Sequence, residues 1–122
     1  MNSEPDRQEI EALLPLPAAT FHILVALAAG EAHGYAILLD IASRTGGEVQ
    51  LGAGTLYRSI HRMLEQGLVE ETRERPDPAL DDERRRYYRI TAFGTAVARA
   101  EARRFSQLIK LARAQGLAPE RA

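Results

Sequence analysis

The chain has 122 residues, a length that is enough for one compact domain and too short for two ordinary ones. Of these residues 45% are hydrophobic and 27% are charged, as in ordinary globular proteins. It contains no cysteine, so disulfide frameworks, thiolate zinc sites and cysteine nucleophiles are excluded. Its formal net charge of -1 gives no overall attraction to nucleic acid, so any nucleic-acid site has to come from a local arrangement of basic side chains.

The N-terminal region shows no targeting signal. It starts with polar and acidic residues instead of a basic start and an apolar run, and no stretch of the chain approaches the ~20 apolar residues of a membrane span. We therefore expect a cytoplasmic protein. We interpret residues 1–15 as an N-terminal extension in which Ile10, Leu13 and Leu14 have the spacing of a short helix, and Pro15 and Pro17 end that helix.

Two amphipathic helices are predicted next, each ending at glycine. The predicted buried stripes are Phe21, Leu24, Val25 and Ala28 in the first helix, which ends at Gly30, and Tyr35, Leu38, Leu39 and Ala42 in the second, which ends at Gly46-Gly47. His33 is predicted to be a turn or cap residue before the second helix.

The third predicted helix runs from about Gly54 to Gly67 and has two different faces. Its buried stripe is Leu56, Ile60, Met63 and Leu64, and its exposed side presents Thr55, Arg58, Ser59 and Arg62 at the same spacing, flanked by Tyr57 and His61. Such a helix is fixed to its domain on one side, and on the other it can approach base edges and phosphates in the major groove. We interpret it as a recognition helix.

A hairpin and a long helix complete the predicted order. Strands are expected at residues 68–73 and 85–90, and Thr91 is expected to cap a helix that runs to about Ala114. The stripe on that helix is Ala98, Ala102, Phe105, Ile109 and Ala112. Because so long a helix extends beyond a domain this small, we expect it to pair with a second copy.

The predicted fold is therefore mainly α (α+β), a winged helix-turn-helix with a two-stranded wing and a long C-terminal dimerisation helix. The domain at residues 16–90 would bind DNA, residues 91–115 would dimerise, and residues 116–122 would form a tail. We expect the wing to contribute less to DNA binding than the third helix, because Arg84, Arg85 and Arg86 directly follow three acidic residues, Asp81, Asp82 and Glu83, that neutralise them.

Four strings of residues, in this order and on these elements, resemble the PadR-like transcriptional regulators over roughly residues 14 to 113. They are His33-Gly34-Tyr35, Gly54-Thr55-Leu56-Tyr57, Leu64-Glu65-Gln66-Gly67-Leu68-Val69 and Arg86-Tyr87-Tyr88-Arg89-Ile90-Thr91. The resemblance implies a bacterial or archaeal repressor of the small subfamily, with one C-terminal helix, that binds an inverted-repeat operator as a dimer and is often released by a small-molecule effector. The residues that it places on double-stranded DNA are Tyr35, Gly54, Thr55, Tyr57, Arg58 and Arg62, with a contribution from Arg84, Arg85 and Arg86 of the wing.

This chain departs from the family pattern in two respects. Residues 74–83 make the wing longer and more acidic than is usual in the family, and there is no tryptophan to stack a planar drug between the dimer helices. An effector pocket is expected where the last helix, the leading segment and the partner subunit meet. The residues proposed for this pocket or for the dimer interface are Leu13, Leu14, Ala98, Ala102, Phe105, Leu108, Ile109 and Ala112.

Two functions of other classes stay open. A winged helix can also be a protein-interaction or effector-sensing module without strong DNA binding, and the near-zero net charge favours that alternative. An enzyme is the least supported, because His22, His33 and His61 lie on separate predicted elements without metal-ligand spacing, and no phosphate-binding glycine loop or nucleophile elbow is present. We expect no catalytic residues, no metal and no cofactor.

Overall fold

The chain forms five helices and three short strands within residues 6–72 and 86–119, the residues that this computed structural model describes. The elements are α1 (Arg7–Ala12), α2 (Ala18–Leu27), β1 (Ala32–His33), α3 (Gly34–Arg44), α4 (Ala53–Glu65), β2 (Val69–Thr72), β3 (Tyr87–Ile90) and α5 (Ala92–Ala114). The predicted order of helices and strands is confirmed except for β1, which was not predicted, and the fold is mainly helical with a small antiparallel sheet and a long C-terminal helix.

Local capping signals set the starts of two of the helices. The Nδ1 atom of His33 accepts a hydrogen bond from the backbone N–H of Ala36 at 3.1 Å, and the hydroxyl of Thr91 accepts one from the N–H of Gly94 at 2.9 Å. Each bond satisfies a donor that the first turn of the helix leaves unpaired. Both cap predictions are confirmed.

The buried sides of α2 and α3 differ from the predicted stripes. In α2, Val25 and Ala28 are exposed, and the buried apolar residues are Ile23, Leu24, Ala26 and Leu27. α2 is apolar around most of its circumference, so the pattern does not define one inner side. In α3 the buried pair is Ile37 and Ile41, while Tyr35 and Leu39 are 63% and 53% exposed. Both α3 pairs have the i, i+4 spacing, so the choice between them depends on packing against α2 and α4.

The predicted hairpin is present, and a third strand joins it. β2 and β3 pair antiparallel, with Val69 opposite Ile90 and Thr72 opposite Tyr87, and β1 pairs with the other edge of β3. The expectation of a two-stranded wing therefore misses β1, which has only two residues and is too short to give an alternating pattern. Residues 73–85, including Arg84 and Arg85, lie outside the described residues.

The first half of α5 is packed into the domain through small and buried residues. Gly94 and Val97 are buried, and a Cβ built on Gly94 would overlap the carbonyl oxygen of Leu68. One turn further on, the carboxylate of Glu101 is fully buried, accepts the backbone N–H of Leu16 at 2.8 Å and pairs with the guanidinium of Arg104. Since the neighbouring residues at positions 15 and 17 are prolines, which lack an N–H, Leu16 supplies the only backbone donor of this short segment.

The charged state of Glu101 is favoured in the folded protein. The hydrogen bond from Arg104 lowers the pKa of the Glu101 carboxyl below its ordinary value of 4.5; burial opposes this effect, and the Leu16 N–H adds to it. A carboxyl group whose pKa is depressed on folding stabilises the protein above its unfolded-state pKa and loses that contribution as the pH falls through the folded-state pKa.

We expect Glu101→Gln to lower the free energy of unfolding by about 1–2 kcal/mol at neutral pH, because the amide has a single acceptor oxygen for the Leu16 N–H and the Arg104 Nε–H and carries no charge to pair with Arg104. The difference from the wild type should shrink as the pH falls below 4.5. Urea unfolding of both proteins from pH 7 downwards measures it. A difference that stays constant over this range would show that the carboxylate charge contributes nothing.

Candidate nucleic-acid interface

One side of α4 is anchored in the core and the other side faces solvent. Leu56, Ile60 and Met63 are at most 2% exposed and hold the helix against the domain. On the opposite side Thr55, Arg58 and Arg62 are exposed and Ser59 is half-buried. α4 therefore has the two-faced arrangement that the sequence predicts.

Four of the predicted DNA-contacting residues border one open groove on this side of α4. The groove is lined by Gly54, Tyr57, Arg58, His61, Arg62 and Glu65. Its surface combines two guanidinium groups, one imidazole and one carboxylate, so it is cationic with a single acidic residue at the C-terminal end of the helix. A surface of this composition can accept phosphates and the acceptor edges of bases.

Tyr57 also has a structural role that its position in the sequence does not show. Its half-buried ring lies against the first residue of α3, and a Cβ built on Gly34 would overlap the Tyr57 hydroxyl and lie 2.7 Å from Cζ. The contact between Tyr57 and Gly34 therefore sets how closely α4 approaches α3. Tyr35 follows Gly34 directly and is 63% exposed on the first turn of α3.

The described cations at the base of the wing have acidic partners. Arg86 Nε lies 3.5 Å from Glu71 Oε1, and Arg89 Nη2 lies 3.5 Å from Glu70 Oε1 on the neighbouring strand. Arg86 and Glu71 also border a cavity of about 310 Å³ that reaches α4, lined in addition by Tyr57, Ile60, His61, Leu64 and Tyr88. These pairings reduce the positive field at the base of the wing, although each exposed pair adds little stability.

The second half of α5 has an apolar side that the described chain covers only in part. Phe105 is 38% exposed, with its ring edge-on to Phe21 at 5.2 Å, and beyond it Leu108 and Ile109 are 47% and 44% exposed. Ala98 and Ala112 are half-buried and Ala102 is exposed on the same stripe. With 23 residues, α5 is about 34 Å long, so its second half extends past the domain that buries its first half.

The residues expected for an effector pocket lie on α5 and on the segment that follows α1. Leu13 and Leu14 are half-buried against the core. Only Leu14 among the expected residues borders the groove between α1 and α5, which has a volume of about 520 Å³. That groove is lined by Arg7, Ile10, Glu11, Leu14, Ala100, Arg103, Arg104 and Gln107.

Within residues 6–72 and 86–119, none of the helices combines the length and the apolar composition that a membrane span requires. In the same residues, no three His, Asp or Glu side chains come together as metal ligands do.

Comparisons with known proteins point to one family. The model of the transcriptional regulator PadR-like family matches residues 23–100. A transcriptional regulator from Clostridium thermocellum is 22% identical, with a TM-score of 0.66 over 90% of this chain and 96% of its own. A PadR family transcription regulator from Clostridium difficile is 21% identical, with a TM-score of 0.66 over 80% of this chain and 96% of its own.

A third solved structure is Bacillus subtilis PadR in complex with operator DNA. It is 17% identical, with a TM-score of 0.59 over 70% of this chain and 47% of its own. A search of curated protein sequences gave no match.

Proposed function

The chain belongs to the PadR-like family of transcriptional regulators, and from this premise we propose that it is a repressor that binds an inverted-repeat operator as a homodimer through α4. The observation on which this rests most is the exposed cationic side of α4 opposite a fully buried apolar side. A helix of this kind can enter the major groove while its domain stays outside. The fold shared with Bacillus subtilis PadR, whose structure includes operator DNA, supports the same role for this chain.

The dimer is proposed from α5. In the first half of α5, Gly94, Val97 and Glu101 face the domain. The apolar residues in the second half of α5 lie on the same side of the helix, but beyond the part of the domain that buries the first half. A second copy packed antiparallel or crosswise on Phe105, Leu108 and Ile109 would cover them. Two copies related by a two-fold axis would place their α4 helices in half-sites about one DNA turn, roughly 10 bp, apart.

An effector is proposed to act through the attachment of α5. Arg104 borders the groove between α1 and α5 and also holds Glu101, whose other oxygen binds the Leu16 N–H. A small molecule in this groove that competes for Arg104 would change how α5 is fixed to the domain. A thermal-shift screen that compares the wild type with Leu14→Ala would test this site.

We expect Arg58→Ala combined with Arg62→Ala to weaken binding to the protein's own promoter by at least about 30-fold, since each arginine contributes about 1 kcal/mol or more to a base or phosphate contact. The slope of log affinity against log salt should become less steep by about two to four, because the dimer loses four arginines. Fluorescence anisotropy at several salt concentrations measures both quantities.

The matched control removes the same charge from α5, by Arg99→Ala combined with Arg103→Ala, and should leave the salt dependence close to wild type. An unchanged affinity and slope in the α4 double variant would refute the assignment of α4. If the wild type itself fails to bind its promoter at low salt, the second candidate, an interaction module, is favoured. The pairing of Arg86 with Glu71 and of Arg89 with Glu70 is the observation that supports that candidate.

A further inference from the structure

The two arginines on the exposed side of α4 are held differently. Arg58 Nη2 donates a hydrogen bond of 3.3 Å to the hydroxyl of Thr55, one turn earlier. A Cβ built on Gly54 would lie 3.2 Å from Arg58 Nη1, so the guanidinium lies along the first turn of the helix, over a position without a side chain. Arg62, within the described part of the chain, makes no hydrogen bond or ion pair.

This difference matters because a base and a phosphate require different degrees of orientation of the arginine that binds them. Reading a guanine requires the guanidinium plane to meet two acceptors, O6 and N7, at once, whereas a phosphate accepts donors from many directions. A side chain that is already oriented loses less conformational freedom on binding. The Thr55 hydroxyl occupies one of the five N–H donors of Arg58, so the others stay available.

We propose that Thr55 is a positioning residue that orients Arg58 to read one guanine in each half-site, and that Arg62 contributes affinity through a phosphate. The proposal rests on the operator binding proposed above. Thr55 therefore acts through Arg58 and does not itself contact a base. Gly54 contributes by leaving the space along which the Arg58 guanidinium lies.

The test begins with selection of preferred sites from randomised DNA duplexes by the wild-type protein. Affinities of the wild type, Thr55→Val, Thr55→Ser, Arg58→Ala and Arg62→Ala are then measured for the selected duplex and for duplexes in which each guanine is replaced in turn. Thr55→Val keeps the shape of threonine and removes the hydroxyl, whereas Thr55→Ser keeps the hydroxyl.

We expect Arg58→Ala to abolish discrimination at one guanine of each half-site and Thr55→Val to reduce it there by about 5- to 10-fold, with an unchanged salt slope. Thr55→Ser should retain wild-type discrimination. Arg62→Ala should weaken binding to all duplexes about equally and reduce the salt slope by about two, because Arg62 occurs in both subunits of the dimer.

Several results would overturn the proposal. If Thr55→Val discriminates like the wild type at every guanine, or loses discrimination at a different base from Arg58→Ala, Thr55 does not position Arg58, although operator binding stands. If the wild type selects no sequence, operator binding and the positioning role fall together.

A readout without DNA tests the positioning itself. NMR relaxation of the arginine Nε–H groups should show Arg58 more ordered than Arg62 in the wild type, and Arg58 should lose order in Thr55→Val but not in Thr55→Ser. Equal mobility of the two arginines in the wild type would contradict the proposal. Unchanged melting temperatures confirm that the variants are folded.

Discussion

Gly94→Ala is expected to lower the free energy of unfolding by about 1–3 kcal/mol, a large part of the stability of a small domain. The new Cβ would overlap the Leu68 carbonyl oxygen and lie 2.9 Å from its carbonyl carbon. The Leu68 carbonyl also accepts a hydrogen bond from the N–H of Thr91 at 3.1 Å. It therefore cannot move without disturbing the start of α5 and also β2, the strand that begins directly after Leu68. Urea unfolding at neutral pH measures the change.

The expected destabilisation by Gly94→Ala is opposite in sign to what helix propensity predicts. Helix propensity alone predicts that a Gly→Ala substitution inside a helix stabilises it by about 1 kcal/mol. Gly54→Ala is the matched control, because a Cβ there would meet only the flexible end of Arg58 at 3.2 Å. We expect Gly54→Ala to be neutral or stabilising. A stabilising Gly94→Ala would show that the contact between α5 and Leu68 is not close.

Leu108→Glu combined with Ile109→Glu is expected to convert the proposed dimer to a monomer and to weaken the proposed operator binding by about 10²- to 10⁴-fold, because the two half-sites would no longer be bound together. Both side chains are nearly half exposed in the single chain, so the substitutions should cost the monomer little. In a dimer each unpaired carboxylate would be buried, at a cost of several kcal/mol. Light scattering would then report 13.5 kDa in place of twice that mass.

The control for this variant adds negative charge to the other side of α5. By the 100° spacing of a helix, Gln107 and Lys110 lie opposite the apolar stripe, so Gln107→Glu combined with Lys110→Glu should leave the mass at the dimer value. Two results would reject the dimer through this stripe. One is a wild type that is monomeric at micromolar concentration, and the other is a stripe variant that stays dimeric.

Part of the candidate site follows from the sequence alone. The alternation of apolar and cationic residues at helical spacing in α4 identifies Arg58 and Arg62 as exposed, because both faces are defined within one short helix. The contact of Tyr57 with Gly34 is different, since it joins residues 23 positions apart on two helices. Gly34 is the only local indication of this contact in the sequence, and a glycine does not by itself identify Tyr57 as the residue that packs against it.

Glu101 is a second residue whose contact, here in the core, cannot be predicted from the sequence. It occupies an inward position of the α5 pattern, yet a glutamate in a helix is ordinarily assigned to solvent. Its partner, the Leu16 N–H, is 85 residues away in the chain. Only the packing of the segment between Pro15 and Pro17 against α5 brings the donor to the carboxylate.

The sequence by itself determined the order of the helices and of β2 and β3, the caps at His33 and Thr91, the two faces of α4 and the family. The caps and the faces of α4 depend on residues within a few positions of one another, where spacing and capping chemistry act, and the family resemblance depends on four such short strings in a fixed order. The tertiary structure decided which side of α2 and α3 is buried, added β1 to the sheet and enclosed Glu101. Those outcomes depend on surfaces contributed by distant parts of the chain, and an apolar pattern that fits two sides equally well cannot choose between them.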